Sequence, residues 1–214
     1  MTWGAWVQAA RIPSNVNLIF PLLFGQALAY GIVGVFDWSL FLLIMLYGWF
    51  DQLFIVFWND YADRNVDAEN KAFNLFSGGS RVVPEGKIPA RQLFIAGIIN
   101  AGLVLLVGGL LTLHYSRPAA LPLFFAGLLL LWMYSFSPIR LNYRGGGEIL
   151  QGLGCGVLLP IIGYYVQAGS FTSLPWLWLL PFFLFHYTSS IATALPDAPA
   201  DAQAIKRTLP VLLV

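Results

Sequence analysis

Apolar positions in this chain come in long unbroken runs, not in the alternation of a strand or the one-sided stripe of a soluble helix. Six runs, near residues 14–33, 38–58, 92–113, 119–137, 148–168 and 175–195, each supply the ~20 residues of helix that cross a hydrocarbon core roughly 30 Å thick. The pattern predicts an all-α, polytopic transmembrane helix bundle, a single domain over residues 1–214. Pro13 and Ser14 suit a helix start, and Pro21 is expected to kink the first helix without ending it. Pro196 and Pro199 are expected to break the sixth, leaving Asp197 and Asp201 at a kink or in the first turn of a new helix. Gly152 and Gly156 form a small-xxx-small face that admits another helix closely.

Composition agrees: 58% of the 214 residues are hydrophobic and 10% charged, which excludes an ordinary soluble domain. The net charge of +1 says little about partners, and no nucleic-acid partner is expected. Placement says more. Of 11 Lys and Arg residues, Arg117 alone falls on one side of the predicted bundle. The positive-inside rule then puts the amino terminus and the even-numbered loops in the cytoplasm, of an inner membrane if the source is bacterial. One Arg before the first run and no small-residue cleavage site make that run a retained helix. The single cysteine, Cys155, can form no intramolecular disulfide and reads as a packing residue.

Against this apolar background, Asn59-Asp60-Tyr61-Ala62-Asp63-Arg64-Asn65-Val66-Asp67 stands out directly behind the second run. On a helix advancing about 100° per residue, Asp60, Asp63 and Asp67 share one face, where like charges call for a cation. Gln52 falls within about 20° of Asn59 and Asp63 and can face the same cavity. Asp51 points the other way and is expected to be protonated or hydrogen-bonded to another helix. The loop from Ala68 to Arg91 is either a solvated connection or a binding loop, its Ser77-Gly78-Gly79-Ser80-Arg81 stretch suiting an anion. Arg140 and Arg144 either clamp a phosphate or face anionic lipid. His186 reads first as a hydrogen-bonded structural residue.

Parity supplies the main inference. The first acidic motif follows two crossings, and Asp197-xxx-Asp201 follows six, so both belong at one face of the membrane. Carboxylates without a Cys or His cluster select hard cations, and Mg²⁺ favours a few carboxylates completed by phosphate oxygens. Carboxylates, metal and scattered Lys and Arg beside an apolar interior describe a site for a lipid-tailed diphosphate. There the metal would neutralise the leaving group, and an aromatic-lined pocket would favour a carbocation.

These motifs resemble the UbiA superfamily of intramembrane prenyltransferases. The likeness runs from Arg11 to Val214 and rests on four features. They are Asn59-Asp60-xx-Asp63-xxx-Asp67, the loop from Ser77 to Lys87, Tyr134-Ser135 through Arg140 to Glu148, and Asp197-xxx-Asp201 with Lys206-Arg207-Thr208. Phe76-Ser77-Gly78-Gly79-Ser80, Tyr143-Arg144-Gly145-Gly146-Gly147-Glu148 and Lys206-Arg207-Thr208-Leu209-Pro210-Val211 look most like the menaquinone branch, whose members prenylate 1,4-dihydroxy-2-naphthoate with loss of CO₂. The resemblance implies that Asn59, Asp60, Asp63 and Asp67 bind Mg²⁺-diphosphate from one side and Asp197 and Asp201 from the other. It also implies that Arg140, Arg144 and Lys206 contact diphosphate or acceptor; Arg81, in the loop that suits an anion, is a further substrate-binding candidate. The sequence departs from the family pattern at Val56, at Thr193-Ala194 and at Ile205. Relatives form nine transmembrane helices, so six are expected here, with the chain stopping near the start of a seventh. Another acceptor (4-hydroxybenzoate, homogentisate, a tetrapyrrole or a lipid alcohol), prenyl cyclisation, a cation-coupled transporter and an inactive fragment are the alternatives.

Overall fold

The computed structural model describes residues 2–70 and 79–213; Lys71 and the Phe76-Ser77-Gly78 part of the glycine-rich motif lie outside the described residues. Its longest element is a 32-residue helix that carries the first acidic motif. We number this helix α3 (Trp38–Glu69); before it come α1 (Trp3–Ala9) and α2 (Val16–Val33). The Asp37 carboxylate caps α3, accepting from the amides of Ser39 (2.7 Å) and Leu40 (3.1 Å). At 1.5 Å per residue α3 is about 48 Å long, well beyond a hydrocarbon core of roughly 30 Å. The apolar run stops at Trp58, but no Gly or Pro follows before Glu69, so the helix continues and carries Asn59 to Asp67 outside the apolar layer.

Then follow α4 (Ala90–His114), α5 (Ala120–Ser135), α6 (Leu141–Arg144), α7 (Gly147–Leu153), a wide π-helical turn over Gly154–Leu158, α8 (Leu159–Ala168), α9 (Leu179–Ala194), α10 (Ala198–Gln203) and α11 (Leu209–Leu213). Among the described residues there is no strand. Five stretches, Trp3–Val33, Trp38–Glu69, Ala90–His114, Gly147–Ala168 and Trp176–Gln203, are long and apolar enough to cross a membrane, and α5 is a shorter apolar helix. The chain is an integral membrane protein of the all-α class.

Local chemistry explains the breaks. α2 runs through Pro21 without ending and stops at Gly34, whose φ of 75° is the left-handed cap glycine tolerates best. Pro196 and Pro199 end α9 as expected: a single turn, Leu195–Asp197, separates it from α10. The helix α1 was not legible from the apolar pattern, because seven residues are too few to register as a span.

The interior is aromatic and aliphatic. The Tyr47 ring stacks on Phe124 with centroids 3.9 Å apart, amid fully enclosed Leu22, Ile44, Phe54, Leu111 and Ile162. Leu42, Leu106, Leu113 and Phe185 point outward and are exposed, an arrangement suited to lipid. Small residues set the closest helix approaches. A Cβ on Gly163 would strike the Leu22 carbonyl oxygen, and one on Gly25 the Pro160 carbonyl oxygen, so α2 and α8 meet backbone to backbone. Gly156 lies against the backbone of Phe182 and Phe183, and Gly152 against the Phe183 ring, so the small-xxx-small face does receive α9. Asp51, expected to be protonated or hydrogen-bonded to another helix, finds its hydrogen-bond partner within its own helix: its Oδ2 accepts from the Tyr47 hydroxyl at 3.3 Å, one turn back.

Candidate active site

The end of α3 presents Asp60, Asp63 and Asp67 at intervals of three and four, hence on one face. All three are buried, at 3%, 7% and 8% exposure. They also sit at the negative end of the helix dipole, where uncompensated carboxylates are unfavourable. The structure compensates each part of this cluster differently.

Asp60 is clasped by the Arg11 guanidinium and by the Ser80 hydroxyl, which tie the α1–α2 connection and the loop after α3 to the same carboxylate. Gly79 brings its backbone onto Asp67: a Cβ there would fall on Oδ2, and its φ of 72° disfavours any side chain. Arg81 donates from Nη1 to the backbone carbonyls of Asp67 (2.7 Å) and Asn70 (3.2 Å), closing the carbonyl end of α3 with positive charge. Gly79→Ala should therefore push the loop off Asp67, and a Mg²⁺ titration followed by intrinsic fluorescence should show at least about a tenfold weaker midpoint. An unchanged midpoint would refute this account of the loop.

Asp63 is the hub. Its Oδ1 accepts from the Tyr143 hydroxyl at 2.8 Å, and its Oδ2 lies 3.2 Å from Lys206 Nζ. The same ammonium reaches Asp201 Oδ1, also at 3.2 Å. One lysine therefore bridges the two acidic motifs. Asn70 joins them a second time, donating to Asp197 Oδ1 at 3.2 Å. Burial by itself would lower the Lys206 pKa, but Asp63 and Asp201 outweigh it and hold the ammonium well above the ordinary lysine value. Burial and then Asp63 raise the Tyr143 phenol above its ordinary value, so it remains a hydrogen-bond donor.

These residues line a cavity of about 780 Å³. Among the described residues, six acidic side chains face it (Asp63, Asp67, Glu85, Glu148, Asp197 and Asp201) against three basic ones (Arg11, Arg81 and Lys206). Glu148 is 5% exposed; its Oε1 accepts from the Leu209 amide at 2.7 Å, while Oε2 has no hydrogen-bond partner. Surplus carboxylate oxygen, with an orphaned buried oxygen among it, fits a hard divalent cation. Among the described residues no three His, Cys, Asp or Glu side chains converge into a closed metal cage. Mg²⁺ does not require one: it characteristically takes one or two carboxylates and completes its shell with water and substrate phosphate.

A second chamber of about 260 Å³ adjoins the first, sharing Arg11, Ser14, Asn17, Asn59, Tyr134 and Gln151 with it. Its walls are Leu18, Ile55, Val56, Leu130, Leu131 and Leu158. Gln52 belongs here with Asn59, donating to Ser14 Oγ at 2.5 Å, and is not on the wall beside Asp63.

Of the residues picked out by sequence, Asn59, Asp63, Asp67, Arg81, Asp197, Asp201 and Lys206 face the larger cavity. Asp60 does not, because it is turned onto Arg11 and Ser80. Arg140 and Arg144 are not on the wall either: Arg140 lies 3.4 Å over the Tyr143 ring, and Arg144 is exposed. Sequence reasoning passes over Arg11, Ser80 and Tyr143 as site residues. Arg11 carried a usable signal, being the one charge ahead of the first apolar run, and Glu148 another, as a lone acid at the start of the fifth. Tyr143 carried only its place at the head of the Tyr143-to-Glu148 motif, which says nothing of a contact with Asp63.

In a comparison with solved structures, a UbiA homolog from Archaeoglobus fulgidus bound to GPP and Mg²⁺ superposes with a TM-score of 0.78 at 20% identity, over 98% of this chain and 69% of that one. The 2-carboxy-1,4-naphthoquinone phytyltransferase of Synechocystis sp. is 25% identical over 174 residues, 78% of this chain and 52% of the relative. The 1,4-dihydroxy-2-naphthoate octaprenyltransferase of Bacillus subtilis is 25% identical over 195 residues, 90% of this chain and 60% of the relative. The chain thus spans between about half and three fifths of the length of these curated relatives. Residues 18–214 match the UbiA prenyltransferase family along nearly the whole chain, and with the paired acidic motifs in place the protein belongs to that family.

Proposed function

We propose that this protein transfers a prenyl group from a polyprenyl diphosphate to an aromatic acceptor, with Mg²⁺, and releases diphosphate. The observation that carries the reading is Lys206, which draws Asp63 and Asp201 to one cavity that continues into an apolar-walled chamber. Relatives named for naphthoquinone and naphthoate acceptors support an acceptor of that class and a role in quinone formation. By the positive-inside rule the cavity faces the cytoplasm.

Asn59, Asp63 and Asp67 would hold the metal from α3, and Asp197 and Asp201 from the broken end of α9, with Asp60 in reserve behind Arg11. Bound Mg²⁺ supplies charge neutralisation for the diphosphate leaving group. The protein's own groups do the rest. Lys206 and Arg81 offer positive charge to the diphosphate, and Tyr134, at the junction of the two chambers, presents an aromatic ring to an allylic carbon as it becomes positive. The carbon–oxygen bond of the donor breaks, its electron pair leaving with diphosphate. A ring carbon of the acceptor then forms the new carbon–carbon bond and loses a proton, or CO₂ where that carbon bears a carboxylate.

The test is transfer of label from a radiolabelled polyprenyl diphosphate to 1,4-dihydroxy-2-naphthoate by the full chain in liposomes. A labelled lipid product that requires Mg²⁺ and disappears with chelator is expected. Transfer that persists after chelation would overturn the metal-dependent reading.

A further inference from the structure

The stretch Trp3–Val33 is 31 residues long, more than one crossing needs, and α2 alone supplies 18 of them, about 27 Å of helix. At Arg11 the backbone turns through the left-handed region, with φ 43°, so α1 is a separate helix and not an extension of α2. What α1 packs on fixes its depth. Ala5 and Ala9, four apart, are buried with Val82, Ile88 and Leu93, and the Trp6 ring meets the Phe57 ring edge-on with centroids 5.7 Å apart. Phe57 and Trp58 close the apolar run of α3, and Leu93 lies one turn inside α4, so α1 stands at the level where hydrocarbon gives way to headgroups. Its opposite face carries Trp3 and Val7, also four apart, at 84% and 43% exposure, and α1 has no charged residue. Exposed Ile12, Val16 and Phe20 continue that apolar surface onto α2.

We propose that α1 is an interfacial anchor: Trp3 and Val7 lie in the headgroup–acyl boundary of the bilayer, and that seating holds segment 79–88 on Asp60 and Asp67. A short helix whose free face is apolar and carries a Trp is the kind of element that boundary takes up. The link inward is Gln8. Its Nε2 donates to the Ser80 carbonyl at 2.7 Å and its Oε1 accepts from Lys87 Nζ at 2.8 Å, so one α1 side chain holds both ends of the segment. Ser80 in turn donates to Asp60, and Gly79 lies against Asp67. Arg11, where α1 gives way to α2, also reaches Asp60. The bilayer surface is thereby part of what orders the acidic cluster, whichever substrate the cavity takes.

The full chain with Trp3→Cys carrying a nitroxide is placed in phosphatidylcholine–phosphatidylglycerol liposomes, and the label's accessibility to oxygen, which concentrates in the acyl layer, is compared with that to a water-soluble nickel chelate. The unaltered chain, treated with the same reagent, reports any labelling of Cys155, and Glu69→Cys, at the exposed end of α3, gives the aqueous reference. The label at position 3 should favour oxygen over the chelate at least about threefold more than the label at position 69, as a site within roughly 5–10 Å of the boundary requires. Preference for the chelate, or shielding from both reagents as in a contact with another protein chain, would overturn the anchor. Hydrogen exchange reads the coupling: in Trp3→Ser/Val7→Ser, residues 79–88 should exchange about fivefold faster or more, while residues 159–168 of α8 stay within about twofold of the unaltered chain. Trp3→Phe/Val7→Leu keeps an apolar face and should exchange at the unaltered rate. Gln8→Ala cuts the inward link without touching the outer face, guards against a folding defect in the serine variant, and should speed residues 79–88 alike. Unchanged exchange of residues 79–88 in either folded variant, or an acceleration shared equally by α8, would overturn the coupling.

Discussion

Asp63→Ala should reduce Mg²⁺-dependent prenyl transfer by on the order of 10²-fold or more, the effect expected from removing a preorganised charged group at a site of developing charge. Two features of the structure make it the most damaging single change on α3. The carboxylate faces the cavity, whereas Asp60 is held by Arg11 and Ser80. It is also the atom group to which Tyr143 and Lys206 are both anchored, at 2.8 and 3.2 Å. Without it, a metal loses a ligand, and the two residues that link the loops over the cavity lose their common partner. Single-turnover transfer at saturating Mg²⁺ measures this, and a rate within a few-fold of wild type would refute the assignment of Asp63.

Lys206→Ala should act on stability before it acts on catalysis. The lysine side chain is 8% exposed, and Asp63 and Asp201 are nearly as enclosed. Removing one partner from a buried ionic cluster typically costs about 3–5 kcal/mol because the remaining charge is stranded. The folded-state pKa of Lys206 is raised, so its contribution is complete at any pH below the ordinary lysine value and is lost only as pH rises through the higher folded value. Titration of Lys206 itself should therefore add no pH dependence across the neutral range. The destabilisation should also shrink when Mg²⁺ is added, because a divalent cation bound only by the folded state supplies the missing charge. Thermal unfolding of the variant at several pH values, with chelator and with Mg²⁺, tests both points. Equal melting temperatures in the two conditions would show that Lys206 does not stand where a cation would.

Much of this architecture was readable from residues alone, for reasons that particular elements make plain. Runs of some twenty apolar residues have few stable forms besides a spanning helix, and the positions of Trp38, Gly34 and Pro196 bracket them. Residues at three and four apart must share a helical face, so Asp60, Asp63 and Asp67 were legible as a cluster. Parity brought Asp197 and Asp201 to the same end, where Lys206 now links them to the first motif. What pattern could not give was orientation within that end. Asp60 looks equivalent to Asp63 in sequence, and only the fold shows Arg11 folding back on it. Arg140 reads as a phosphate clamp or a lipid contact, and only the fold shows it lying over the ring of Tyr143. The Arg11–Asp60 and Tyr143–Asp63 contacts span 49 and 80 positions of chain, which no local period encodes.

The wide turn at Gly154–Leu158 gives the helical segment from Gly147 to Ala168 two phases. A π turn inserts roughly one extra residue, worth about 100° of rotation, between the faces upstream and downstream. Upstream, Glu148 reaches the larger cavity while Gly152 meets α9; downstream, Gly163 meets α2. Between them the turn itself places Cys155 and Leu158 on the wall of the smaller chamber. One segment thereby serves three neighbours that no single helical stripe could address, and the shape of the smaller chamber is set by a change of register in the backbone as much as by the side chains that line it.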